Sequence, residues 1–229
     1  SLVQIAAEKA GIIKTTVPVV VGQTQQETAA VFKKIASDFN APIYFSDQEQ
    51  YQDYTSDLKG SYQKHNIKTA LKVFDLLQEK SWNITAYVIK NGLNNVVKNT
   101  GLMGRWQILS HAPFTVCDTA HNEEGLRYTL NQIQAINKAD LHIVFGVVED
   151  KDLSKIITLL PKNATYYLCA PSIKRAMAVV KLQMLFNQFG LHSKPYNSVQ
   201  EAFNSAKLKA SKNDTTYLGG STFVVAEII

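Results

Sequence analysis

Only two cysteines occur in the 229 residues, Cys117 in "FTVCD" and Cys169 in "TYYLCA". Two cysteines buried in apolar runs give no disulfide framework and no metal-ligand spacing. They read as free thiols of a reducing compartment. No apolar run approaches the length of a membrane span, and no signal-peptide pattern is visible. Blocks of like charge are missing too. The net charge is +5 and the lysines are scattered, so nucleic acid is not implied. A mild positive excess suits phosphate-bearing or polycarboxylate ligands. Neither a G-x-x-x-x-G-K-[ST] loop nor a G-x-G-x-x-G turn occurs, so a nucleotide bound here would have its phosphate cradle elsewhere. There is no internal repeat. The first residue is Ser1, and a helical pattern follows at once, so the chain reads as cut rather than started.

What is present is a regular alternation. With 45% hydrophobic and 19% charged residues, the chain can build a real core. The spacing predicts a helix over "LVQIAAEKA", stopped by Gly11, and a short buried strand at "VPVVVG". A helix over "TQQETAAVFKKIASDFN" follows, with Thr24 as N-cap and Glu27 completing a capping box. "APIYFS" is a strand, and Asp47 to Lys64 is irregular or a hairpin. "NIKTALKVFDLLQE" is a helix, and Lys80 to Gly104 is a loose connector with a glycine-rich hinge. From Arg105 on, strands "RWQIL", "FTVCD", "LHIVFGVV", "TYYLCA", "HSKPYN" and "DTTYLGG" are separated by helical segments, among them "DLSKIITLLP" and "IKRAMAVVKLQMLFNQFG". "STFVVAEII" closes the chain as a helix or strand. Strands spaced by helices of ten or more residues mean βαβ units and an α/β fold with a mostly parallel sheet.

The stretch "FTVCDTAHNEEGLRYTL" sets an acid, an imidazole and an amide where a strand stops and a helix starts. In open α/β sheets that position faces the ligand crevice. Asp118 and Asn122 as helix caps, with a solvated His121, is the plain alternative.

Several segments resemble one family in order and spacing along nearly the whole chain. They are "IAAEKAGIIK", "PVVVGQ", "GSYQKHN", "GLMGRWQIL", "CDTAHN", "VFGVVEDKD" and "YLGGSTFVVAEI". Together they resemble the folylpolyglutamate and dihydrofolate synthases of the Mur ligase superfamily, with Met103 where proline is usual. The resemblance implies that residues 1–103 end a P-loop-type central ATPase domain and that 104–229 form a Rossmann-like C-terminal ligase domain. It implies a cytoplasmic monomer that joins L-glutamate to folate or dihydropteroate through an acyl phosphate, using ATP and Mg²⁺. The principal metal ligands and the P-loop would lie upstream of Ser1, leaving the 229 residues alone inactive. No nucleic acid and no membrane is implied as partner. A non-catalytic nucleotide- or amino-acid-binding module and another Mur-type amide ligase are the competing readings.

The same resemblance assigns residues. Asp118 is placed on the ATP ribose, and Arg105 on ATP with a guanidinium suited to phosphate. Asn66 is placed near the adenine, where an N-cap for the helix at Ile67 is the alternative. His121 faces the phosphates or the incoming amino acid, and Ser221 the carboxylate of glutamate. Lys9, in "EKAG", is a catalytic and metal-site candidate if carbamylated, since a burial-neutralised amine could take up CO₂. Lys151 and Asp152 match a D-K-D segment.

Overall fold

The computed structural model describes residues 1–149 and 153–229, so the readings on Lys151 and Asp152 lie outside the described residues. The chain divides into two compact units. One comprises 1–57 and 62–95; the other comprises 58–61 and 96–229.

In the first unit α1 (Leu2–Ala10) starts with a capping box between Ser1 and Gln4 and ends at Gly11. Strand β1 (Val19–Val21) pairs in parallel with β2 (Ile43–Phe45), and α2 (Gln26–Asp38) connects them. The core here is small: Ala10, Ile13, Ala36 and Ala41, with Phe32, Ile35, Val19 and Ile43 packed against it. Thr24 does not cap α2. Its N–H and hydroxyl both donate to Asp47, 2.8 Å each, and Gln25 occupies the cap position without a side-chain bond. A carboxylate on a neighbouring turn has out-competed the local cap. That turn is a 3₁₀ segment at Ser46–Gln48.

After Ser46–Gln48 the chain forms no hairpin. It runs as an irregular strap along α3 (Gln63–Gln78). Lys72 pairs with Glu49 at 3.1 Å, and the Tyr51 hydroxyl donates to Asp75 at 2.5 Å. Asn66 lies inside α3 rather than at its cap. The expected loose connector contains two short helices, α4 (Ala86–Leu93) and α5 (Val96–Thr100), the second in the other unit. The Thr85 hydroxyl caps α4 by accepting from Val88 N–H.

The second unit holds a six-stranded sheet. Its strands are β3 (Gln107–His111), β4 (Phe114–Cys117), β5 (Leu141–Phe145), β6 (Ala164–Leu168), β7 (Ser193–Pro195) and β8 (Thr215–Gly219). The spatial order is β3-β4-β8-β5-β6-β7, parallel throughout except for the β3–β4 hairpin. Every residue of β5 and β8 is buried, as expected of central parallel strands covered on both faces.

Helices α6 (Glu123–Ile136), α7 (Leu153–Ile157) and α8 (Val179–Gln188) cover one face with Leu126, Leu130, Ile156, Leu182 and Phe186. Helices α9 (Val199–Lys209) and α10 (Thr222–Ala226) cover the other with Val199, Ala202, Phe203, Val224 and Val225. The division follows from handedness. The crossovers β4–α6–β5, β5–α7–β6 and β6–α8–β7 step one way along the sheet. The crossover β7–α9–β8 steps back, so a right-handed connection puts α9 on the opposite face.

The expected long helix from Ile173 is shorter than its sequence pattern. A turn at 173–176, closed by Ala176 N–H on the Ile173 carbonyl, leads into a bridge from Ala176 to Val148 and a bond from Met177 N–H to the Val147 carbonyl, which hold 176–178 extended. The helix begins only at Val179. The terminal "STFVVAEII" resolves as helix α10.

Candidate functional site

Strand β8 returns between β4 and β5, so neighbouring strands send their following helices to opposite faces. β4 leads into α6 on one face, and β8 leads into α10 on the other. Their C-terminal ends form the topological switch point, the position where doubly wound sheets bind ligands. Two loops border it: Asp118–Asn122 after β4 and Gly220–Ser221 after β8.

Asp118 is 1% exposed. Its Oδ2 accepts from Trp106 N–H at 2.7 Å and its Oδ1 from Ala120 N–H at 2.8 Å. The carboxylate thereby ties the turn before β3 to the turn after β4. The turn before β3 is sharply wound: Gly104 sits at φ 70° and Trp106 at φ 50°. Gly104 is required there, because a Cβ would lie 2.7 Å from the Thr119 methyl as well as in a left-handed backbone. Thr119 N–H donates to the Gly104 carbonyl at 2.9 Å, closing the junction.

The junction brings Arg105 against the motif. The Arg105 Nη1 donates to the Thr119 hydroxyl, while the residue as a whole stays exposed. His121 is also exposed, with Nδ1 3.0 Å from the Thr119 carbonyl. A carbonyl can only accept, so Nδ1 carries the hydrogen and Nε2 is left for a ligand. Asn122 caps α6, its Oδ1 accepting from Gly125 N–H at 2.8 Å. The uncapped amides of a fourteen-residue helix then lie beside Arg105 and His121. A guanidinium, an imidazole and a helix N-terminus at one crevice suit an anion.

Across the crevice, Ser221 is 3% exposed and caps α10, accepting from Phe223 N–H at 3.2 Å. Gly220 before it sits at φ 90°, and a Cβ there would meet the Gly146 carbonyl at 2.8 Å. The ends of β8 and β5 therefore approach as closely as backbone allows. Cys117, beneath the site, has its thiol pushed up to about 12 by burial and by the Asp118 charge, so it is inert as a nucleophile.

Arg105, Asp118 and His121 are thus joined through Thr119, and Ser221 stands on the neighbouring strand end. Thr119 itself was not among the residues singled out from sequence. Its place beside Asp118 in "DTAHN" was the available signal. In the other unit, Asn66 is exposed on α3 and donates to Gln63 at 2.9 Å. Lys9 is exposed in the last turn of α1. The burial expected to neutralise its amine is not supplied by the chain around it. Among the described residues no group of three His, Cys, Asp or Glu side chains could hold a metal ion, so these residues alone do not make a magnesium site.

Fold and strand ends together define a doubly wound α/β domain with Arg105, Asp118, His121 and the start of α6 gathered at its switch point. The chain belongs to the family described as Mur ligase, glutamate ligase domain, whose pattern matches residues 104–222. It is similar to the dihydrofolate synthase/folylpolyglutamate synthase of Escherichia coli, 26% identical over 98% of this chain and 54% of that enzyme. A probable bifunctional folylpolyglutamate synthase/dihydropteroate synthase of Haloferax volcanii is 24% identical over 99% of this chain and 29% of its own length. Among solved structures, E. coli FolC in complex with DHPP and ADP superposes with a TM-score of 0.80 at 25% identity, over 98% of this chain and 55% of that one. The 229 residues thus span about half the length, or less, of these relatives.

Proposed function

We propose that this chain supplies the C-terminal part of an ATP-dependent ligase that adds L-glutamate to a folate or dihydropteroate carboxylate. The observation that carries the reading is the Arg105–Thr119–His121 cluster beside the α6 N-terminus, at the switch point of a Mur-type ligase domain. The related E. coli structure holds ADP and DHPP. Residues 1–103 are assigned to the end of a central ATPase domain, and 104–229 to the ligase domain.

In this reading the acceptor carboxylate takes the terminal phosphoryl group of ATP, releasing ADP, and the glutamate amine then attacks the acyl phosphate, displacing inorganic phosphate and forming the amide. Arg105 holds phosphate oxygens. His121, through Nε2, contacts the phosphate or the incoming amino acid. The α6 amides add their partial positive charge to the charge developing on the transferred group. Ser221, already a helix cap, has remaining hydrogen-bonding capacity for the glutamate carboxylate. Asn66 is assigned to the adenine edge. Asp118 acts as a positioning residue. A ribose hydroxyl reaches a carboxylate so buried only if the turn opens, whereas its two backbone bonds place Arg105 and His121 directly. Lys9, if carbamylated, would offer Mg²⁺ a carboxylate-like ligand, with the burial its amine lacks here and further metal ligands both supplied from outside this chain.

The test is ATP-dependent incorporation of labelled glutamate into dihydropteroate or reduced folate by the natural protein containing these residues. Arg105→Ala should raise the KM for ATP at least tenfold. Wild-type kinetics in that variant, or no glutamate incorporation by the parent, would remove the reading.

A further inference from the structure

A second cleft lies at the opposite edge of the six-stranded sheet, where β4 and β8 begin. Its volume is about 690 Å³, within the range of small-molecule sites. Its apolar floor is formed by Trp106, Phe114, Ala135 and Ile136. Lys59, His111, Lys138 and Lys212 stand around it. Asp214 is the one carboxylate among the lining residues, and its charge is already engaged. It is 7% exposed and accepts from Ser211 N–H at 2.6 Å, Asp140 N–H at 3.2 Å and His142 Nε2 at 3.4 Å.

Two walls of the cleft are held by specific bonds. Gln132 of α6 donates to the Lys59 carbonyl at 3.0 Å and accepts from Ser61 N–H at 2.6 Å, which fixes the Lys59 segment against the helix. Asp214 fixes the Ser211–Asp214 turn that carries Lys212. The site is therefore shaped before any ligand arrives. The Asp118–Ser221 crevice lies at the other ends of the same strands.

We propose that this cleft binds a small organic dianion with a flat ring, the ring on the Phe114–Ile136 floor and the anionic oxygens between Lys138 and Lys212. Apolar walls with a few convergent charges are the usual composition of such a site. Two ammonium groups, Lys138 and Lys212, beside one engaged carboxylate favour anions over cations and neutral rings. A nucleoside monophosphate and an aryl-linked glutamate share this chemistry. Because the cleft and the crevice occupy opposite strand ends, this ligand binds without competing for the catalytic site.

The experiment titrates the natural protein containing these residues with 5′-AMP and, separately, with 4-aminobenzoyl-glutamate. Binding is followed by calorimetry and by amide shifts. The expected result is saturable binding of at least one probe, with shifts at Ala135–Lys138 and Lys212–Thr215. Lys138→Glu combined with Lys212→Glu should weaken it about tenfold or more, as should high salt. Both lysines are exposed, so the variant should keep its melting temperature. If it does not, His111→Ala provides the same test with a smaller loss. Whichever probe binds names the source of the anion. Failure of both probes to saturate in the millimolar range overturns the site. So do shifts confined to Thr119–Gly125, or binding indifferent to the charge reversals.

Discussion

The two units solve the problem of burying apolar surface in different ways. In the second unit the sheet is covered on both faces, and the largest fully buried side chains, from Tyr166 and Tyr217 to Val144, all belong to it. In the first, a pair of three-residue strands carries a core of mostly small side chains, while Leu2, Ile5, Ile12, Trp82 and Tyr87 are at least half exposed. A core closed on both faces can hold shape by itself, although single apolar side chains such as Met184 and Leu208 stay exposed in the second unit too. The unit with the larger core is also the one whose strand ends place Arg105, Asp118, His121 and Ser221. Groups that must be aimed within fractions of an ångström benefit from a frame that does not give.

The largest expected effect breaks or confirms that contrast directly. Leu126, fully buried between α6 and the sheet, should cost about 3–5 kcal/mol when changed to Ala. Ile13→Ala in the small core should cost clearly less. Urea unfolding of both variants measures this, and equal losses would mean the first unit is as well packed as the second. Next comes Asp118→Ala, which leaves two backbone N–H groups without their acceptor in a buried turn. About 2–4 kcal/mol of stability should go, together with any binding that depends on Arg105. A fully stable Asp118→Ala protein would show that the turn holds without the carboxylate.

A smaller effect is expected at Gly220. Alanine there meets a left-handed backbone and the Gly146 carbonyl, for a cost of about 1–3 kcal/mol by thermal melting. The smallest concerns acid. Burial opposes charge on Asp214, but the hydrogen bonds from Ser211 and Asp140 N–H and the His142 contact outweigh it, so its carboxyl lies below the ordinary 3.8. A depressed carboxylate contributes stability above its unfolded pKa and loses it as pH falls through the folded value. The second unit should therefore weaken below about pH 4, and Asp214→Asn should flatten that part of the stability curve. An unchanged acid limb would mean another group sets it.

Much of the second unit was legible from sequence because its strands are long apolar runs punctuated by capped helices. Asn122 before "EEGLRYTL" and Ser221 before "TFVV" show the cap residues where the structure uses them. Sequence pattern failed where a tertiary contact overrode local preference. Thr24 has the form of an N-cap but is taken by Asp47, twenty-three residues away. Residues 173–178 carry a helical pattern, but Ala176 and Met177 are drawn to Val148 and Val147. The site was legible as a motif, not as a geometry. "DTAHN" marked the strand end, but nothing local tells that Asp118 turns inward to Trp106 and Ala120, or that Thr119 receives Arg105. Those contacts depend on a left-handed turn at Gly104–Trp106, and a single sequence does not announce positive φ at a tryptophan.

The most direct test of the account is glutamate ligation by the natural protein containing these residues, measured for His121→Ala alongside its melting temperature. His121 is exposed and, among the described residues, is bonded to the neighbouring Thr119 carbonyl, so the fold should barely register its loss, by less than about 0.5 kcal/mol. Loss of one positioned group at a developing charge typically costs about 3 kcal/mol, or a rate factor of a hundred or more. The account predicts that kcat/KM for glutamate falls by about that factor while the melting temperature stays put. Wild-type kinetics with a lowered melting temperature would contradict it, and would leave "DTAHN" as a structural junction rather than part of a ligase site.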